Sequence, residues 1–408
     1  MPLPIETRLD RMLTRGDLVN ENAPLMGEYW HRPGQILVHR DDLDDRRNPI
    51  ARELSRWDAE RYEIPGKLRR LRARGDYPWV SYRLSSRMSI DAVVTHLRRV
   101  ADGPEPRVAP NHVFGACQTW AFFPFDNPAP SDQTLALPDG EPGDCLVAVI
   151  DSGLVQTGEA AAFVNAAGPR LQAAPAAADP LDIEPTNGWL DDADGHGTFI
   201  AGIVLRRAPS VTVRLDATLN SGIADDQEVA EAILRNADAD VINLSIGAYS
   251  AGNVPPPAIQ WALNQLPPRT AVIAAAGNYG RRRPVFPGAF KRVIAVGAVD
   301  ATTTPGAAPP PRAGFSGHGY WVDACASGQS VLSNYVEFDE TPVGGERFEG
   351  WARWSGTSFA TAHVSGVIAA EYLASAGQTP RPTPRQVAFN LLYNSGRPTV
   401  PGLGTYFA

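Results

Sequence analysis

Cys145-Leu146-Val147-Ala148-Val149-Ile150 is an unbroken apolar run that stops at Asp151-Ser152-Gly153. A strand with one wet face alternates apolar and polar residues. A strand with none exposed belongs in the interior of a parallel sheet. The same pattern returns at Val241-Ile242-Asn243-Leu244-Ser245-Ile246-Gly247, at Ala271-Val272-Ile273-Ala274-Ala275-Ala276-Gly277-Asn278 and at Val293-Ile294-Ala295-Val296-Gly297-Ala298. Helical stretches separate these runs, expected at 197–206, 225–236 and 258–265. Alternating strands and helices predict an α/β fold, a doubly wound and mostly parallel sheet with helices on both faces. The carboxyl ends of the strands are where its functional side chains should gather.

The chain has 408 residues, 43% hydrophobic and 20% charged, with a formal net charge of −8. That is a globular composition, large enough for two or three domains. No apolar run is long enough to cross a bilayer, so no membrane partner is expected. Met1-Pro2-Leu3-Pro4-Ile5-Glu6-Thr7-Arg8 lacks the basic-then-apolar pattern of a secretory leader, and a cytoplasmic protein is the expectation. Cys117, Cys145 and Cys325 are scattered without paired spacing, which suggests neither a disulfide framework nor a zinc site. Residues 1–120 carry a net charge of +3 and the remainder −11. Opposite signs favour docking of the two parts on each other. An excess of +3 is too small to argue for nucleic-acid binding.

Ahead of the parallel sheet the pattern differs. Residues 1–30 show no periodicity and read as an N-terminal arm, with a short helix at 10–18. Strands are expected at 35–39, 79–84 and 107–114. Between them lie a helical stretch from Pro49 to about Arg74, interrupted at Pro65-Gly66, and a helix from Ser89 to Val100. Ser89 is its cap, and Ile90, Val93, Val94 and Leu97 have helical spacing. This order predicts a small α+β domain over 31–117, a Pro-rich linker over 118–140 and a main domain over 141–408.

Three polar residues stand where the sheet would place a site. Gly356-Thr357-Ser358-Phe359-Ala360-Thr361-Ala362-His363-Val364-Ser365-Gly366 has no charged residue between Arg353 and Glu371, which describes a buried helix. Ser358 at its start faces unpaired N–H groups and the positive end of the helix dipole, a setting that suits an attacking oxygen. Capping is the commoner use of such a serine. Asp151 closes the first buried strand, and His196, in Asp194-Gly195-His196-Gly197-Thr198, begins a small-residue helix. Alone, each also fits a structural role as turn former, first helical residue or cap. All three with glycine beside them point to nucleophilic catalysis.

Val149–Gly153, His196-Gly197-Thr198 with Ala201-Gly202, and the segments 241–247, 274–278, 293–300 and 356–366 resemble, in order, those of the subtilisin-like serine proteases. The likeness covers about residues 135–408. It implies a serine endopeptidase acting on a polypeptide through an acyl-enzyme, with no cofactor. Ser358 would be the nucleophile, His196 the base, Asp151 its orienting acid, and Asn278 with the Ser358 N–H the oxyanion hole. The substrate backbone would add as a strand along Ser245, Ile246 and Gly247. A primary pocket would be walled by Ala275, Ala276 and Gly277 and floored near Gly297. These segments contain no acid to select a basic side chain, although Asp300 and Asp323 are near in sequence. Ser358 lacks a Gly-x-Ser-x-Gly setting, which disfavours an α/β-hydrolase esterase.

Three departures from the family pattern stand out. Leu205-Arg206-Arg207-Ala208-Pro209-Ser210 leads straight to the next strand, so no calcium site is expected there and no metal is assigned. Ala362 replaces a usual proline. Residues 335–353 form an acidic insertion, read either as a solvated hairpin or as a device shaping substrate access. The N-terminal pattern resembles the ferredoxin-like propeptides of the same proteases, which makes this domain an expected partner docked on the catalytic domain. Two fates stand open for it, cleavage within about 115–135 or permanent attachment. The rival functional class is a catalytically silent fold used for binding; retention of every residue the chemistry needs favours the enzyme.

Overall fold

The structure is a computed structural model. It describes the chain except residues 1–14, 16–17, 24–26, 46, 63–65, 86–87, 102–106, 117–126, 156–159, 174–178, 180, 183–185, 192, 220–221, 303–308 and 342–343. The first buried run forms β7 (Leu146–Asp151), an interior strand, third from one edge of a nine-stranded sheet. On one side of it lie β9 (Thr212–Ala217) and β8 (Leu171–Ala173). On the other lie β11 (Val241–Leu244), β12 (Ala271–Ala275), β13 (Ile294–Val299), β14 (Ala324–Ser327) and β18 (Gly404–Phe407). All these pairings are parallel, and β17 (Thr399–Val400) adds an antiparallel edge.

Both faces are covered, which is why the strands read as continuous apolar runs. Val147 and Val149 face a core with α4 (Ala161–Ala167), α5 (His196–Arg207), α8 (Thr357–Ala374) and α9 (Pro384–Tyr393). Ala148 and Ile150 face the opposite core with α6 (Asp226–Arg235) and α7 (Pro257–Gln265). The expected helices fall within a residue of α5, α6 and α7. A capping box at Asp225 and Glu228 sets the start of α6. The expected burial of α8 is met, since Thr357 through Gly366 are all buried.

The N-terminal region is built on β2 (Gly27–His39), β3 (Glu60–Arg61), β4 (Trp79–Arg83) and β5 (Val108–Gly115), in the order β5-β2-β4-β3. Ile36, Val38, Val80 and Tyr82 pack against α1 (Pro49–Arg56) and α3 (Ile90–Val100), while Leu37 and Trp79 join the core of α6 and α7. The sheet continues into the main body, where β10 (Ile223–Asp225) pairs antiparallel with β5.

Several expectations are corrected. The arm over 1–30 does not end at 30: β1 (Val19–Ala23) pairs with the start of β2, a register that aperiodic residues conceal. Most of the helix expected at 10–18 lies outside the described residues. The stretch 49–74 is two helices, α1 and α2 (Gly66–Arg74), with the edge strand β3 between them. The linker over 118–140 is in part a strand, since Ala129 and Pro130 form β6 against Arg353 and Ala352. The acidic insertion is a hairpin, β15 (Val331–Asp339) with β16 (Arg347–Trp354), but it is not simply solvated. Tyr335, Val336, Phe348, Ala352 and Trp354 are buried in the core beside α5 and α8. No helix among the described residues is long and apolar enough to cross a membrane.

Candidate active site

Asp151 ends β7, Ser245 follows β11 and Asn278 follows β12, so three candidate residues sit at carboxyl ends of adjacent strands. His196 and Ser358 open the helices α5 and α8, which pack on each other over the same face. Asp151 Oδ1 lies 2.7 Å from His196 Nδ1 and also accepts the Ser152 N–H at 2.8 Å. Both side chains are buried. This close approach depends on Gly197, where a Cβ would stand 2.3 Å from the Gly153 carbonyl oxygen.

Phe359, the residue after Ser358, packs its ring 5.6 Å from the His196 ring. Trp354 meets the same imidazole edge-on at 5.3 Å and 87°. The Ser358 hydroxyl donates to the Ser245 carbonyl at 3.3 Å, not to the imidazole. Ser245 Oγ in turn donates to the Ser358 carbonyl at 3.1 Å and accepts from Asn243 Nδ2 at 2.8 Å. Asn243 Oδ1 accepts from Ser365 Oγ at 3.0 Å, which ties β11 to α8 behind the nucleophile position.

Asn278 is oriented by Thr357, whose N–H and hydroxyl both donate to Oδ1 at 2.8 Å. Only the amide oxygen can accept them, so the Nδ2 end turns away, against Gly356. A donor so placed beside the start of α8 can serve a developing oxyanion. Ala275 closes β12 and Ala276 and Gly277 follow it, all buried. Gly297 lies within β13, where a Cβ would meet Leu403 at 2.5 Å and Ser316 Oγ at 3.0 Å. Asp323 binds the Ala295 N–H, at the opposite end of β13 from the site. Asp300 turns its carboxylate to Thr302.

Gly247 is already paired. It donates its N–H to the Gly115 carbonyl at 2.9 Å and accepts the Gly115 N–H at 3.5 Å, while Ala116 N–H reaches the Gly222 carbonyl at 2.9 Å. The end of β5 therefore lies as a strand between Gly222 and Gly247.

Sequence reasoning missed the support of these groups. Asp179 Oδ2 accepts from Ser152 Oγ and from the Gly195 N–H, each at 2.8 Å. Burial raises its carboxyl pKa to about 7, and the charges of Asp151 and Asp191 add to that. Burial, then Asp179 and Asp191, also holds Asp194 well above the usual carboxylate range. Trp354 and Tyr335 were equally hidden, Tyr335 at the start of what reads as an acidic insertion and Trp354 directly after its end. The Tyr335 hydroxyl donates to the Asp194 carbonyl at 2.9 Å. Among the described residues no group of three or more His, Cys, Asp or Glu is placed to hold a metal ion.

The family model of the subtilases matches residues 143–390, and the chain belongs to that family. It is 32% identical over 229 residues to the thermophilic serine proteinase of Bacillus sp. (strain AK1), covering 53% of this chain and 50% of that one. Thermitase of Thermoactinomyces vulgaris is 33% identical over 211 residues, covering 48% of this chain and 66% of thermitase. The chain thus spans about half to two thirds of the length of these relatives. Fervidolysin from Fervidobacterium pennivorans, described as a keratinolytic enzyme related to subtilisin, shares the fold at a TM-score of 0.59 and 18% identity. That likeness covers 94% of this chain and 61% of fervidolysin, so it includes much of the N-terminal region.

Proposed function

We propose that the protein is a serine endopeptidase using Asp151, His196 and Ser358, with Asn278 as an oxyanion donor. The observation that carries this reading is the 2.7 Å Asp151–His196 contact at the strand ends, beside a serine at the mouth of a buried helix. Asp151 holds Nδ1 of the imidazole, which leaves Nε2 to take the Ser358 proton. Ser358 Oγ then bonds to the scissile carbonyl carbon, and the oxyanion is met by the Asn278 amide and the Ser358 N–H. As the C–N bond breaks, His196 returns the proton to the leaving amine. Water repeats the sequence and frees the acid. The Ser358 hydroxyl rests on the Ser245 carbonyl; the catalytic bond from serine to imidazole is one that tightens in the Michaelis complex.

The N-terminal domain is, on this reading, a propeptide-like inhibitor covering residues 31–117. Its strand-helix-strand-strand-helix-strand order, with α2 added, supports a ferredoxin-like domain. The pairing of Gly115 with Gly247 supports inhibition, because that edge is the one a substrate strand would use.

Labelling with a fluorophosphonate probe tests the enzyme reading. The full chain and a form freed of residues 1–117 are compared with Ser358→Ala. Labelling of wild type alone, stronger in the freed form, is expected. If neither form labels better than Ser358→Ala, the chain is a silent member of its family.

A further inference from the structure

Catalysis by this site needs the end of β7 and the start of α5 held in one relation, because Asp151 is on one and His196 on the other. Packing brings them close, but sliding by a fraction of an ångström would break the 2.7 Å contact. Hydrogen bonds converge on one point between them. Ser152, directly after Asp151, donates its hydroxyl to Asp179 Oδ2 at 2.8 Å. Gly195, directly before His196, donates its N–H to the same oxygen at 2.8 Å. Gly197, directly after His196, donates its N–H to Ser152 Oγ at 3.0 Å. Asp179 is itself anchored, through its N–H on the Leu154 carbonyl at 3.0 Å.

We propose that Asp179 is a positioning residue, whose single carboxylate oxygen locks the Asp151 loop to the N-terminus of the His196 helix. The proposal rests on the catalytic reading of Asp151 and His196. Asp179 touches neither the imidazole nor the nucleophile, and acts through Ser152 and Gly195. A carboxyl group buried with no cationic partner among the described residues is costly, so a site that keeps one is using its acceptor geometry. Its neighbours Asp151 and Asp191 are of like charge and favour the neutral form, as burial does. An asparagine, whose amide oxygen accepts the same two donors, should therefore replace it, whereas alanine should not.

The test uses the full-length protein with Asp179→Ala, Asp179→Asn and Ser152→Ala, each compared with wild type in the same processing state as read by mass spectrometry. It measures kcat and KM on a short peptide and the low-field proton resonance of the His196 Nδ1–H. Asp179→Ala is expected to lower kcat by about 30- to 100-fold with KM nearly unchanged, and to shift or broaden the resonance. Asp179→Asn should stay within about threefold of wild type. A folded Asp179→Ala protein with normal kcat and an unmoved resonance overturns the proposal. So does Asp179→Asn failing as badly as Asp179→Ala. Should Asp179→Ala not fold, Ser152→Ala decides: a moved resonance supports the lock and an unmoved one refutes it. Wild type inactive toward peptide and probe defeats the enzyme reading alone, since the resonance still reports the Asp151–His196 pair.

Discussion

Gly115 and Gly247 exchange backbone hydrogen bonds, so the end of β5 lies along the segment that follows β11 and leads on from Ser245. Gly247 lies two residues beyond Ser245, whose carbonyl holds the Ser358 hydroxyl. A chain bound in this antiparallel register presents to Ser358 the carbonyl two residues past the one opposite Gly247. Self-processing is therefore expected after Cys117, a position outside the described residues, and mass spectrometry of the purified protein reads it directly. A cut elsewhere in 115–135 refutes the register, and an intact chain with full activity refutes the propeptide reading. Gly115→Pro removes one interstrand donor, worth about 1 kcal/mol, and should raise peptide hydrolysis by the uncleaved chain about fivefold.

Asn278→Ala should lower kcat with little change in KM, because the donor acts on charge that develops only in the transition state. The loss known for a subtilisin asparagine in this role is about 2.7–4 kcal/mol, or a kcat lower by about 10²–10³. A variant that raises KM at unchanged kcat would instead make Asn278 a ground-state contact.

Trp354 should matter for both stability and rate. It is buried and packs perpendicular to the His196 ring, with Phe199, Tyr335 and Phe359 around it. Trp354→Ala should cost about 3–5 kcal/mol in urea unfolding through the cavity it leaves. Freed of that wall, the imidazole should also lose kcat, and Trp354→Phe should recover most of both. Unchanged kcat in a folded Trp354→Ala protein would confine Trp354 to packing.

Docking of the N-terminal domain should weaken in acid. His112 Nε2 accepts the Ala251 N–H at 3.1 Å, and the ring is fully buried near Tyr29. Burial first, then Arg98 and His31, bring its pKa down from 6.5 to about 3. A released domain would let His112 take a proton below about 6.5, while the docked form resists until about 3. The docked state is thus unpenalised above 6.5 and loses about 2 kcal/mol by about pH 5. Fluorophosphonate labelling of the uncleaved chain, taken relative to the freed form at the same pH so that the protonation of the catalytic base cancels, should rise between pH 7 and about 5, and His112→Gln, which still accepts from Ala251, should flatten that rise. An equal rise in His112→Gln would assign the pH response to other groups.

The parallel sheet and its ends were legible in the chain. A strand buried on both faces has to be apolar throughout, so Val147–Ile150, Val241–Leu244 and Ala271–Ala275 announce themselves locally. Polar or glycine-bearing residues at such ends, like Asp151 and Asn278, then stand out, and a helix with no charge, like that of Ser358, must be interior. What local pattern cannot carry is which distant segments meet. Asp179 looks like any loop aspartate until the fold sets it against Ser152 and Gly195. Trp354 follows glutamates and arginines that read as solvated, because the β15–β16 hairpin is exposed towards its tip, at Glu337, Asp339, Arg347 and Glu349, and buried at its base. The pairing of Gly115 with Gly247 is a matter of register between segments far apart in the chain, and neither glycine has a side chain to signal it. Hydrophobic periodicity thus determined the sheet and the ends where Asp151 and Asn278 stand. Only tertiary contact decided what holds His196 in place and what lies across the path to Ser358.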